Sequence, residues 1–348
     1  MVIHNNNFNF LRLVGAALVI FSHCYYVTGK SISEPVNVVM GGRLEASGFG
    51  LCIFFFISGF FVTKSACTSK NISLFLKKRI FRIYPALITI VLLTVFFLGP
   101  FFTSLSSGTY FSNRETWLYL FTATAIRIRN NLPGVFTEPG FFIGSVNASL
   151  WTIALEIFLY ASIALFLVSN LIKKRCLFAL LSAAIVLTCF LSLLLNPGMD
   201  FFYVKYFNLV GIFYLGSFVY ISSATKKQVL FILIFSLLMY SPVYFINEYT
   251  LKADFLLLVI VSLTVYFIGF AKKIPLRVDN DISYGLYIFA FPIQQAVFKL
   301  THFNPSISLQ LALTFAITVP LAFLSWLFIE KPFINLNRKF NTPNNILM

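Results

Sequence analysis

Hydrophobic positions in this chain come in long unbroken runs, not in the alternating or three-to-four-residue steps of a half-buried soluble element, and polar breaks separate the runs. A helix needs roughly 20 such residues to cross a bilayer. Ten runs qualify, at about 10–28, 48–66, 83–102, 149–169, 176–196, 203–222, 228–247, 251–270, 282–300 and 307–329. The pattern predicts an all-α integral membrane protein of about ten transmembrane helices, one domain over 1–335 with a short tail over 336–348. The breaks are short except for 103–148, which holds Gly108, Pro133, Gly134, Pro139 and Gly140. Inside it, residues 115–126 (ETWLYLFTATAI) are apolar but too short to span, which predicts an interfacial or re-entrant helix.

Composition agrees with the pattern. Of 348 residues 59% are hydrophobic and 11% charged, with 44 Phe, which excludes an ordinary soluble domain. The net charge of +15 raises the question of a nucleic-acid partner, and its distribution answers it. Counted on alternate sides of ten spans, 17 of the 26 Lys and Arg fall on one side and 7 on the other, with Arg12 and Lys205 inside spans. Basic loops belong on the cytoplasmic side, so both termini are predicted to be cytoplasmic, with the basic loops against anionic lipid headgroups and no nucleic acid involved. Lys205, near the outer edge of its span, is expected to snorkel. Cys24, Cys52, Cys67, Cys176 and Cys189 lie in or beside apolar runs, and His4, His23 and His302 are scattered, so neither a disulfide framework nor a metal site is expected. The first residues lack the basic region and cleavage site of a removed signal peptide, and the first span is expected to be retained.

The first span carries the chemistry most visibly. Arg12 and His23 are eleven residues apart, which on a helix places them on one face about 16 Å from each other. The plainer reading makes Arg12 an interfacial anchor and His23 a packing residue; the functional one makes them parts of a site, because ionisable groups are costly in a membrane. His23 lies about 10 Å from the outer boundary, and Glu156, in SLWTIALEIFLY, reaches about the same depth from the other direction. A carboxylate beside an imidazole makes a workable general base. Alternatively Glu156 is a structural partner to an Arg or a backbone group.

At the cytoplasmic side, KKRIFRIYPAL brings Lys77, Lys78, Arg79 and Arg82 to the start of the third span. Arg79 and Arg82 share a helix face if the helix has begun, and with Arg12 they make a basic mouth for a phosphorylated donor; a positive-inside anchor is the alternative. Ser58 and Gly59 in FFFISGFF let another helix, or an extended ligand, approach the backbone. Nothing around Ser58 supplies a base for nucleophilic attack. Tyr284, Tyr287 and Pro292 predict a kinked, aromatic-lined helix, and Glu330, at the cytoplasmic edge of the last span, is expected to pair with a basic group.

Six stretches in this order, LRLVGAALVIFSH, FFFISGFF, KKRIFRIYP, SLWTIALEIFLY, SYGLYIFAFP and FIEKP, resemble the membrane-bound acyltransferase 3 family. The resemblance implies an inner-membrane O-acyltransferase that moves an acyl group, most often acetyl, from cytoplasmic acetyl-CoA to a hydroxyl of a surface polysaccharide such as O-antigen or its lipid-linked precursor. By motif, Arg12 and His23 match the family's Arg-x10-His with the His catalytic, Arg79 and Arg82 its Arg-x2-Arg, and Glu156 and Glu330 its acidic positions. Trp151 and Tyr287 are expected to support the site, Ser58 and Gly59 to flank the acyl arm, and acyl-CoA to act as co-substrate with no bound cofactor. Many members have a His where this chain has Ala290, so a two-histidine relay is not expected. Some carry a fused esterase-like domain; here none is expected beyond Met348. Direct transfer and a transient acyl-histidine remain open, and a proton-coupled transporter or flippase using His23 and Glu156 is the rival reading.

Overall fold

The structure, a computed structural model, describes residues 6–138, 145–196, 198–245, 251–271, 276 and 278–339, with side chains described except at 241–245, 251–253 and 337–339. His4, Pro139, Gly140, Lys272, Lys273 and Arg277 lie outside the described residues. Ten long helices occur among the described residues: α1 Phe8–Val27, α2 Ala46–Thr68, α3 Ile72–Leu93, α4 Trp151–Val168, α5 Arg175–Leu195, α6 Phe201–Ile221, α7 Lys226–Phe245, α8 Leu251–Gly269, α9 Ser283–Leu300 and α10 Ile307–Ser325. Each predicted span falls on one of them. Seven helices among the described residues are long and apolar enough to cross a membrane: α1, α2, α4, α5 and α6, with α3 continued to Phe102 and α10 continued to Leu336. Helix α9, which carries Gln294, Gln295 and Lys299, is instead buried over most of its length. No strand occurs among the described residues, where a lone antiparallel bridge joins Thr103 to Val135.

Helix α3 begins about three turns before its predicted span, so the basic run Lys77–Arg82 is helical. Apolar length sets where a span crosses lipid, but Lys and Arg are good helix formers and extend the helix beyond it. A π-helical turn, Thr94–Leu98, then carries α3 onward, with the Gly99 N–H reaching Thr94 O. There the buried Tyr110 hydroxyl donates to Val95 O at 3.0 Å. A second π turn, Trp326–Glu330, continues α10. The re-entrant piece expected at 115–126 is a short helix, Arg114–Leu118, followed by a 3-10 turn, Tyr119–Thr124, which a left-handed Ala125 (φ 56°) ends.

The chain forms two compact units: residues up to 19 with 34–72 and 159–281, and residues 20–33 with 73–158 and 282 onward. In the first, α2 and α6 meet backbone to backbone. A Cβ at Gly59 would overlap the Phe213 carbonyl, and one at Gly216 the Phe56 carbonyl, so only glycine permits the approach. Thr63 Oγ1 donates to Ser217 Oγ at 2.9 Å across the same seam. Gly15 and Gly50 let α1 reach α2, while Asn7 donates through Nδ2 to Ile268 O and Ala271 O and pins the start of α1 to the end of α8. Lys205 reaches toward the start of its helix. Its ammonium lies 4.1 Å from the centre of the Phe201 ring and within electrostatic reach of Glu45, so a neighbouring carboxylate and ring hold it in place.

In the second unit α9 packs on α10, where Gly285 faces Ala322. The long outer segment is tied to α9 by Lys299, whose Nζ donates to Phe102 O at 3.2 Å and pairs with Glu138. Ser104 N–H donates to Gly134 O at 2.9 Å and closes the same segment on itself.

Candidate active site

The predicted residues divide between the units: Arg12, Ser58 and Gly59 belong to the first, and His23, Arg79, Arg82, Trp151, Glu156, Tyr287 and Glu330 to the second. In the second unit one helix braces both acid–base candidates. On α9, Phe291 sets its ring edge-to-face against the His23 imidazole, centres 5.2 Å apart, and Gln294 donates through Nε2 to Ile20 O at 2.8 Å and to Cys24 Sγ at 3.1 Å. These contacts fix α1 on either side of the half-buried His23. Tyr26 adds a second ring, 6.4 Å away.

One turn before Phe291, the Tyr287 hydroxyl donates to Ser149 O at 2.7 Å and lies 2.6 Å from Thr152 Oγ1, which secures the start of α4. Glu156 stands one turn beyond Thr152 on the same face, half-buried and within electrostatic reach of Tyr287. Trp151, half-buried, opens α4. The loop before it is held by Asn147, fully buried, whose Nδ2 donates to Ile288 O at 2.9 Å. Pro292 sits inside α9 as expected, and Ile288 O is the acceptor its missing N–H leaves without a helical donor. The role of Asn147, Thr152, Phe291 and Gln294 escaped sequence reasoning, because each is an unremarkable residue until its partner is known.

Glu330 is fully buried at the end of the π turn, where it accepts from Ser325 Oγ at 3.2 Å and lies 3.9 Å from Arg82 Nη1. The predicted pairing with a basic group is therefore with Arg82, whose guanidinium also lies 6.0 Å from the centre of the Tyr284 ring. Tyr284 in turn donates to Ile83 O at 3.0 Å. Arg79, three residues earlier on α3, is half-buried too.

In the first unit Arg12 is held from three directions. Its Nη1 lies 3.2 Å from Asp281 Oδ2 and 3.4 Å from Asn9 Oδ1, and Phe61 stacks at 5.8 Å. Asp281 is buried, and nothing in its own neighbourhood marked it as a partner. Ser58 Oγ lies 3.0 Å from the Tyr160 hydroxyl. Gly59 is corrected as a ligand-lining residue: its open side is filled by the α6 backbone, the helix-approach alternative of the two.

The family described as an acyltransferase domain matches residues 5–329. The O-acetyl transferase of Shigella phage Sf6 is 31% identical over 343 residues, covering 95% of this chain and 96% of that protein. Nodulation protein 10 of Rhizobium leguminosarum bv. viciae is 32% identical over 171 residues, 47% of this chain and 44% of that protein. No solved structure matches the chain.

Proposed function

The chain belongs to the acyltransferase 3 family and is an O-acetyltransferase of multi-pass membrane type, and we propose that it carries acetyl from cytoplasmic acetyl-CoA to a hydroxyl of a surface polysaccharide, such as O-antigen, or of its lipid-linked precursor. The full-length match to an O-acetyl transferase carries this reading. That relative comes from a phage of a bacterium, which supports the bacterial inner membrane as the location. In this proposal the ten helices span that membrane with both termini in the cytoplasm, as the positive-inside count favours.

Arg79 and Arg82 take phosphates of the donor, since guanidinium groups suit paired phosphate oxygens, and Arg12 is assigned to donor binding on the same chemical ground. Their partners Glu330 and Asp281 keep two of these cations oriented before the donor arrives. Ser58 stands along the acyl arm. His23 takes the proton of the acceptor hydroxyl as its oxygen attacks the thioester carbonyl; the C–S bond breaks, and the CoA thiolate leaves and is protonated. In the relay variant the imidazole itself first accepts the acetyl and releases CoA, and the acceptor oxygen then attacks the acyl-imidazole. Glu156 stabilises the imidazolium in the direct route. Single-turnover trapping of acetylated His23 with acetyl-CoA alone separates the two.

The test is the O-acetyl content, by NMR, of surface polysaccharide from cells carrying wild-type protein, His23→Ala or an empty vector. Acetyl signal with wild type alone is expected. Equal signal in His23→Ala removes the histidine from the reaction, and equal wild-type and vector spectra in every polysaccharide-bearing host tried remove the acceptor class.

A further inference from the structure

In the first unit an open groove runs between the end of α6 and the first turns of α7, and no step of the proposed transfer uses it. Its volume is about 460 Å³, within the roughly 300–1,000 Å³ of small-molecule pockets. Phe218, Phe231 and Ile232 give it an apolar floor, and Ser222 and Lys227 a polar rim. The turn beneath is firmly built. Ser222 Oγ donates to Phe218 O at 2.7 Å, the Thr225 N–H donates to Gln228 Oε1 at 2.8 Å, and the Gln228 N–H donates back to Thr225 Oγ1 at 3.3 Å. This reciprocal cap fixes the start of α7, and with it the backbone of Lys226 and Lys227.

The charge at this corner is of one sign. Arg175 Nη2 donates to Ser223 Oγ at 2.9 Å, which brings the start of α5, and the preceding Lys173 and Lys174, to the same turn. All five cations are exposed. Arg175 also lies within electrostatic reach of Cys67, near the end of α2, where the flanking charges are Lys64 and Lys70. The sequence has no Asp or Glu between Glu45 and Glu115, and between Glu156 and Glu248 it has only Asp200, which caps the opposite end of α6. None of the elements at the groove therefore brings a carboxylate to it. A zwitterionic headgroup would set its ammonium among cations here, whereas an anionic phosphodiester presents acceptors to them. Away from the rim the surface turns apolar: Phe231 is 70% exposed, and Leu230, Ile234 and Leu238 are exposed further along α7. The fitting occupant has an anionic head and a long apolar body.

We infer that this groove holds one anionic phospholipid, its phosphate at Lys227 and the neighbouring cations and its acyl chains along the exposed side of α7. A nucleotide or free phosphate would meet the same cations but leave the apolar floor uncovered. The inference rests on the proposed membrane arrangement, in which the positive-inside count puts these helix ends at the cytoplasmic headgroups.

The experiment titrates full-length protein in detergent with phosphatidylglycerol, phosphatidylcholine or coenzyme A and counts bound molecules by native mass spectrometry. One phosphatidylglycerol is expected to be retained in preference to phosphatidylcholine. Replacing both Lys226→Gln and Lys227→Gln is expected to weaken that binding about tenfold, whereas Lys77→Gln with Lys78→Gln, which removes the same charge from α3, leaves it unchanged. Ala224→Phe fills the groove without touching a charge and is expected to displace the lipid. Equal retention of the two lipids by wild type, or equal weakening in both lysine pairs, means that only general surface charge is at work and overturns the inference. Tighter binding of coenzyme A, lost on the same substitutions, assigns the groove to the donor and also overturns it. Thermal melting checks that each variant folds; if Ala224→Phe does not, the lysine pairs decide. Retention is read without acetyl transfer, so a protein that keeps the lipid but transfers nothing fails the function reading alone, and one that transfers acetyl but shows no preference fails this inference alone.

Discussion

Asn147 donates its side-chain N–H to the carbonyl of Ile288, the carbonyl that Pro292 leaves without a helical donor. One loop residue thus repairs a helix four residues from its break, and in doing so ties the start of α4 to α9. A buried carbonyl without a partner costs about 1–3 kcal/mol. Asn147→Ala is expected to destabilise the protein by that amount in detergent unfolding. In a Pro292→Ala background the residue 292 N–H returns, so the same substitution is expected to cost far less. Equal penalties in both backgrounds mean that Asn147 acts through some other contact.

The α2–α6 seam gives a sharper steric test. Gly59→Ala drives a methyl group into the Phe213 carbonyl, and backbone cannot yield as a side chain does. Folded yield is expected to fall to a small fraction of wild type, by fluorescence-detected size exclusion, with a loss of at least ~3 kcal/mol in any variant that survives. Gly48→Ala, whose Cβ meets only a leucine methyl at 3.4 Å, is expected to express normally. Normal expression of both variants contradicts the backbone contact.

These two cases show what a sequence displays and what it withholds. Apolar runs announce helices directly, since the bilayer reads only length and hydrophobicity; each predicted run lies on a helix, and seven of the helices among the described residues are long and apolar enough to cross a membrane. The glycine of FFFISGFF announces a close approach but not what approaches; the structure answers with α6. Asn147 and Ile288 are 141 residues apart and Arg12 and Asp281 are 269, and no local pattern links such pairs. Hydropathy places Lys205 near the outer end of its span, but the carboxylate of Glu45 and the ring of Phe201 within its reach are not visible in its own run. The third apolar run begins at about 83 and its helix at Ile72, because hydropathy ends where lipid ends, and helix does not.

Arg12 is a case where pairing bears on the reaction. Asp281 and Asn9 aim its guanidinium, and Asn9 is itself fixed by donating through Nδ2 to Val278 O at 2.9 Å. On the proposed function, Asp281→Ala leaves the charge of Arg12 but not its direction. The acetyl-CoA KM is expected to rise about tenfold while kcat falls less than threefold, with Asp281→Asn intermediate. A fall in kcat with unchanged KM would move Arg12 away from donor binding.

The outer segment carries a pH dependence whose sign follows from Glu138. Burial opposes its ionisation, but the hydrogen bond and charge of Lys299 outweigh that and hold its carboxyl below the usual value of 4.5. A group with a depressed native pKa contributes its stabilisation above the unfolded value and loses it as pH falls through the native one. The link from the 103–138 segment to α9 is therefore expected to hold at neutral pH and to loosen only in acid below 4.5. Hydrogen exchange at Ser104, whose N–H is held by Gly134 O, reads this directly. Protection is expected to fall as the pH drops below 4.5 in wild type after correction for intrinsic exchange, and to be low and flat over the same titration in Glu138→Gln, which lacks the titrating partner. The same acid-dependent loss in Glu138→Gln would assign it to another group.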